Sequence, residues 1–312
     1  MKNDHISKNK MINMLNSLKL YFMNIERYPI YILHEKDLLK EYKNEIKTCF
    51  KYTLNIEFIE IEFNLTSKYN VSNNQFMPDI KRTYGYQAMC QFWSYDLFFS
   101  MNIVRNKYDY VMRLDDDSYL TNSSEYDLFE KFFELNLDYV YRLLYFDDNG
   151  LSYLKKNLKE FIPQNGTIIQ NRRCINAMCT NLDDYHGMAI YNNFFILKLN
   201  FLYSNEIIEL YLKQLIDKHY FYLYPIGDAN IHAILLLLVK NTKTQYFIFP
   251  YNHNVHGAAD MYATYVFFSN SLMWFEYMKR FRNNSCRNLI IATKRIVKII
   301  DTRANIEKIF LT

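Results

Sequence analysis

Apolar residues recur at helical spacing over residues 11–25, through Met11, Met14, Leu15, Leu18, Phe22 and Ile25, and predict an amphipathic helix. Residues 28–33 form a short apolar run that predicts a buried strand, closing in the polar stretch His34 to Asp37. A second helix is expected over 38–50. A strand over 56–63 follows, with apolar residues alternating with acids. This strand–helix–strand opening points to an α/β fold built on a mostly parallel sheet. Further along, a helix is expected from Thr83 through Ser94, then a helix over 129–135 and a strand over 139–145. Residues 147–184 read as a long mixed insertion with one helical piece around 151–161, suited to shaping an acceptor site. A buried strand over 188–197 precedes a helix over 204–218, capped at Ser204. The apolar helix 233–239 opens at Gly227-Asp228-Ala229-Asn230-Ile231-His232, and a last strand is expected over 245–249.

One stretch departs from this alternation of apolar core and polar loop. Residues 108–114 are apolar and β-prone, and the run ends abruptly in Asp115-Asp116-Asp117. An isolated ionised carboxylate loses several kcal/mol or more of solvation on burial, so the acids must emerge at the strand's carboxyl end. Ligands of open α/β sheets sit at that end. Hard oxygen ligands grouped this way suit Mg²⁺ or Mn²⁺ shared with substrate phosphates. An acidic surface turn is the plainer reading of the same residues.

Composition narrows the classes. Half of the 312 residues are hydrophobic and 18% aromatic, ample for a large core, which excludes a disordered chain. The net charge of +4 hints at an anionic ligand without demanding nucleic acid. The odd set Cys49, Cys90, Cys174, Cys179 and Cys286 reads mainly as reduced core thiols. A bridge between Cys174 and Cys179 stays open, because their C-x4-C spacing is poor for zinc. No signal peptide or apolar run of about 20 residues is evident, so the sequence by itself reads as cytoplasmic. Sequons stand at Asn64, Asn70, Asn122, Asn165 and Asn283, unremarkable in an Asn-rich chain. Residues 258–312 read as a helical, basic extension to a domain over 1–257. Its run at 279–308 holds nine Lys/Arg against two acids, a solvated face or else a membrane-surface contact.

Several blocks, in order, resemble the fungal-type Golgi α-1,2-mannosyltransferases, which transfer mannose from GDP-mannose with retention. The family's Tyr-x-x-Met-Cys-Arg-Phe is matched by Tyr86-Gln87-Ala88-Met89-Cys90-Gln91-Phe92. Its Tyr-Trp-Arg-Val-Glu-Pro-Asp is matched by Val111-Met112-Arg113-Leu114-Asp115-Asp116-Asp117. Trp-Ser-Asn-Phe-Glu-Ile falls on Tyr191-Asn192-Asn193-Phe194-Phe195-Ile196, and Gly-Asp-Ala-Pro-Val-His on Gly227 to His232. A later Gly-Tyr-His-His falls on Pro250-Tyr251-Asn252-His253. The resemblance implies a GT-A-type nucleotide-diphospho-sugar transferase, a single mixed, mostly parallel sheet flanked by helices. It implies Mn²⁺ (or Mg²⁺) on the donor diphosphate, with GDP-mannose and a mannose-containing glycan or glycoprotein as partners.

Carried over, the metal ligands are Asp115 and His253, with Asp117 adding to the clamp, and Tyr86 and Arg113 line the sugar pocket. Asp228 orients donor or acceptor or takes the acceptor's proton. Read without the family, Asp228 is a helix cap, Tyr86 a core aromatic and Arg113 a strand-end ion pair.

Three departures accompany the match. Phe195 stands where the family has a candidate nucleophilic Glu, which leaves front-side return with the leaving phosphate as base. Gln91 replaces an Arg. The chain starts at the helix after the family's first strand, whose absence touches donor binding. Two alternatives stand beside transfer: a catalytically degenerate member that binds glycan or a protein partner, and a phosphatase-like hydrolase suggested by Asp115 to Thr121.

Overall fold

The computed structural model describes residues 5–62, 84–101, 103–120, 122–124, 126–164, 173–175, 178–247 and 251–253. In the first half of the chain come α1 (His5–Tyr21), β1 (Pro29–His34), α2 (Lys40–Phe50), β2 (Asn55–Glu60), α3 (Tyr84–Gln91), β3 (Tyr110–Leu114), β4 (Ser118–Leu120), α4 (Leu128–Leu135), β5 (Tyr139–Tyr141) and β6 (Leu144–Phe146). The second half adds α5 (Leu151–Gln164), β7 (Arg173–Ile175), β8 (Met178–Thr180), β9 (Met188–Ile190), β10 (Phe194–Lys198), α6 (Leu199–Tyr203), α7 (Glu206–Asp217), α8 (Tyr220–Leu223), α9 (Asp228–Leu238), β11 (Thr244–Tyr246) and β12 (Tyr251–His253).

The chain divides into two compact units. The first takes in the described residues of 5–62, 114–134 and 251–253. Its β1 and β2 pair in parallel from Pro29 against Asn55 to His34 against Glu60, with α2 as the crossover, the expected strand–helix–strand opening. Pro29 sits at the strand's first position, where a missing N–H costs the ladder least. The apolar positions foreseen over 11–25 are buried, though α1 ends at Tyr21 and leaves Phe22 and Ile25 beyond it, and the helix packs on β4, whose Leu120 N–H donates to Ser17 Oγ at 2.9 Å. Asp127 caps α4, its Oδ1 accepting from the Phe129 and Glu130 N–H groups at 3.0 and 3.3 Å. The same carboxylate takes the Tyr28 hydroxyl, tying the entry of β1 to α4.

The second unit takes in residues 63–113 and 135–248. Its sheet runs β11–β5–β10–β3, with β11 parallel and β10 antiparallel to β5, so the sheet is mixed. Every residue of α9 is buried, including Asp228, Asn230 and His232 in its first turns, and its apolar second half packs into the core. The single strand foreseen over 188–197 is two, broken at Tyr191-Asn192-Asn193 where an Asn pair favours a turn. The strand over 139–145 divides likewise into β5 and β6, and β6 pairs antiparallel with β9. The turn into β9 requires glycine: Gly187 has φ +89°, and a Cβ there would lie 2.5 Å from the Asp147 carbonyl oxygen.

Several expectations are corrected. Ser204 is not the N-cap expected; it is the C-cap of α6, its hydroxyl donating back to the Asn200 carbonyl at 2.6 Å, and α7 starts after Asn205. α3 gives way at Phe92 to π-type turns through Ser100, which 3.6-residue periodicity cannot anticipate. The thiol reading of the cysteines fails in part. Cys174 and Cys179 form a disulfide across the β7–β8 hairpin, and Cys49 is also disulfide-bonded, while Cys90 is a buried thiol. The extension at 258–312 lies outside the described residues, as do Thr83 and the sequons at Asn64, Asn70, Asn165 and Asn283. Among the described residues no helix is long and apolar enough to cross a membrane.

Candidate active site

In the first unit the acidic stretch forms a tight turn. The Ser118 N–H donates to the Asp115 carbonyl at 3.0 Å, and the chain returns at once into β4. There β4 pairs antiparallel with β12, and the register sets His253 opposite Ser118. A second link, Ser118 Oγ to the Tyr251 hydroxyl at 2.8 Å, is buried between the same strands. Pairing therefore carries an imidazole from far downstream to the acids. His253 Nε2 lies 2.8 Å from Asp117 Oδ1 and 3.7 Å from Asp115 Oδ2. Asp115, Asp117 and His253 each offer a ligand atom, all within 4.8 Å of one another.

Electrostatics at the turn is crowded. Burial pushes the Asp116 carboxyl up, and its two acidic neighbours add to this. Burial also pushes Asp117 up, but His253 and Lys10 outweigh it and hold that carboxyl below its usual range. Lys10 Nζ stands 3.5 Å from Asp117 Oδ2. Nothing in the sequence singled out Lys10, which lies in the polar first turns of α1.

In the second unit Arg113 and Asp228 meet. Arg113 Nη1 donates to Asp228 Oδ2 at 2.8 Å, with side chains only 3% and 5% exposed. The Arg113 guanidinium lies over the Trp93 ring, 4.3 Å from its centroid. Asp228 is the first residue of α9, not its cap, and Arg113 does form the ion pair that its strand-end position suggested. Behind them His232 is held at both nitrogens: Nδ1 at 2.7 Å from the Tyr139 hydroxyl, Nε2 at 3.0 Å from the Trp93 carbonyl. A carbonyl only accepts, so Nε2 carries the proton and Tyr139 donates to Nδ1. Burial pushes the Tyr139 phenol well up and the His232 imidazole down. Phe195 is fully buried, its ring against Trp93, Tyr139 and His232. Tyr86, on α3, is exposed rather than a core aromatic.

No protein-family model matches the chain. Over 178 residues, 55% of this chain, it is 28% identical to glycolipid 2-alpha-mannosyltransferase 1 of Candida albicans. The chain is a homologue of that mannosyltransferase. The match spans 41% of the relative's length. Core-mannan synthase A from Aspergillus fumigatus, solved in its Mn/GDP form, superposes with a TM-score of 0.68 at 21% identity, covering 81% of this chain and 72% of that one. The mannosyltransferase Ktr4p from S. cerevisiae gives a TM-score of 0.68 at 20% identity, over 81% of this chain and 68% of that one. Its complex with GDP gives 0.65 at 21% identity, over 81% and 69%. The fold is thus the GT-A-type α/β fold of these transferases, with a mixed sheet flanked by helices.

Proposed function

We propose that the chain is a metal-dependent retaining glycosyltransferase that moves mannose from GDP-mannose to a mannose-containing glycan, making an α-1,2 linkage. The observation that carries this reading is the approach of Asp115, Asp117 and His253 in the first unit, on a fold shared with a structure solved with manganese and GDP. The donor set fits the ion. Two carboxylates and an imidazole suit Mn²⁺ better than Ca²⁺. The surplus of acid at the turn, partly screened from water, is charge that a divalent cation would neutralise. When bound, the ion would act as a Lewis acid toward the charge on the departing diphosphate.

The other residues take supporting roles. Tyr86, exposed on α3, offers an aromatic face to a sugar. Asp228 holds Arg113 by their buried pair and acts as a positioning residue. Phe195 excludes a nucleophile from its position. The C1–O bond to the diphosphate therefore breaks as the acceptor oxygen bonds to C1 on the same face, and the acceptor proton passes to the departing diphosphate. The disulfides favour an oxidising compartment over the cytoplasm.

The test is turnover of GDP-mannose with an α-mannoside acceptor, followed by NMR of the anomeric proton. Transfer with retention that stops on chelation and in Asp115→Ala is expected. Binding of mannoside without turnover would replace this reading with a glycan-binding one. Phosphomonoester hydrolysis instead would assign the acids to a phosphatase.

A further inference from the structure

Lys10 stands beside the proposed ligand set. Two contacts fix the helix that carries it. Lys8 Nζ reaches Glu45 on α2 at 2.6 Å, and Ser17 Oγ accepts the Leu120 N–H on β4 at 2.9 Å. Between these anchors Lys10, its side chain 19% exposed, is directed at Asp117. The two oxygens of that carboxylate are divided: Oδ1 faces His253 at 2.8 Å and Oδ2 faces Lys10 at 3.5 Å. The longer distance is that of an ammonium held near a ligand atom without closing a tight hydrogen bond on it.

An ammonium so placed has opposite effects on the two ligands of the site. Partly screened from water, it repels a divalent cation more strongly than a surface lysine could. Its three donors and flexible stem also make it a point-charge ligand for phosphate oxygens. A cation entering between Asp115, Asp117 and His253 makes the place of Lys10 unfavourable, and a diphosphate beside that cation gives the ammonium a new partner. We propose that Lys10 is the residue that couples metal to nucleotide: it opposes the metal alone and favours the metal with a diphosphate. This deepens the transferase reading and rests on it.

The experiment is Mn²⁺ binding to the full chain, read from the free-ion EPR signal with and without GDP, for the native protein, Lys10→Met and Lys10→Arg. The native protein should bind Mn²⁺ weakly alone and at least several-fold more tightly with GDP. Lys10→Met should bind Mn²⁺ alone more tightly than native, while the gain from GDP falls toward one. Lys10→Arg should keep the gain. Because coupling is reciprocal, the same factor must appear when GDP affinity is measured with and without Mn²⁺. Lys10→Met with native affinity and native coupling would overturn the proposal while leaving the metal site standing. A native protein that binds no Mn²⁺ even with GDP would remove the metal site itself, and this inference with it.

Discussion

Asp117 and Asp228 each meet a nitrogen at 2.8 Å, an imidazole in one case and a guanidinium in the other, and there the likeness ends. Asp228 is matched one to one by Arg113, itself laid over Trp93, and the pair is sealed from water. Around Asp117, three consecutive acids face one imidazole and one ammonium, and the ligand side chains remain 12–23% exposed. A balanced, dry pair completes itself. A crowded, partly wet set with acid in surplus calls for something further, and the proposed divalent cation would supply it. Under the proposed function, burial with charge balance suits Asp228 to positioning, and excess charge at a strand end suits Asp115 and Asp117 to binding.

Substitutions should separate the two regions. The largest effect is expected at Asp228→Asn, which leaves Arg113 buried without its counter-charge and should lower stability by about 3–5 kcal/mol in chemical unfolding. A loss below about 1 kcal/mol would mean the pair is wetter than it stands here. Ligand addition comes next. Mn²⁺ with GDP at about a hundred times the dissociation constant should stabilise the native chain by ~2.7 kcal/mol, and Asp115→Asn by far less.

Third is a pH effect centred on His232 in the second unit. The folded His232 imidazole is held below its ordinary value, first by burial, so the unfolded chain takes up the proton first as pH falls. This contribution is fully present above about pH 6.5 and fades below it by up to ~1.4 kcal/mol per pH unit. His232→Gln should flatten that slope between about pH 6.5 and pH 5. Asp117 contributes with the opposite kind of group: its lowered carboxyl favours the fold above the ordinary carboxylate value of about 3.9, and loses that only in stronger acid. The smallest effect is expected at Asp115→Asn without metal, within about 0.5 kcal/mol of native, since losing one of three adjacent acids relieves repulsion that offsets the lost contact with His253. A loss like that at Asp228 would erase the distinction drawn here.

Much of this was legible in the residues. An apolar run broken by Asp115-Asp116-Asp117 forced those acids to a strand end, and β4–β12 pairing then brought His253 to them, as the family blocks implied. The strand–helix–strand opening was read from periodicity alone. Other features left no local trace. The Lys10–Asp117 contact joins residues more than a hundred positions apart, and a lysine in the first turns of a helix is ordinary in composition. Trp93 beneath Arg113 depends on π-type turns, and His232 depends on a tertiary partner in Tyr139. The Cys174–Cys179 bridge was only one of two open readings, because spacing alone cannot report the hairpin that brings the sulfurs together.

The most direct measurement is anomalous diffraction from crystals of the full chain soaked with Mn²⁺ and GDP. An anomalous peak within ligand distance of Asp115, Asp117 and His253, about 2.0–2.3 Å from each ligand atom, is the expected result. A peak elsewhere, or GDP bound with no peak beside those residues, would contradict the account.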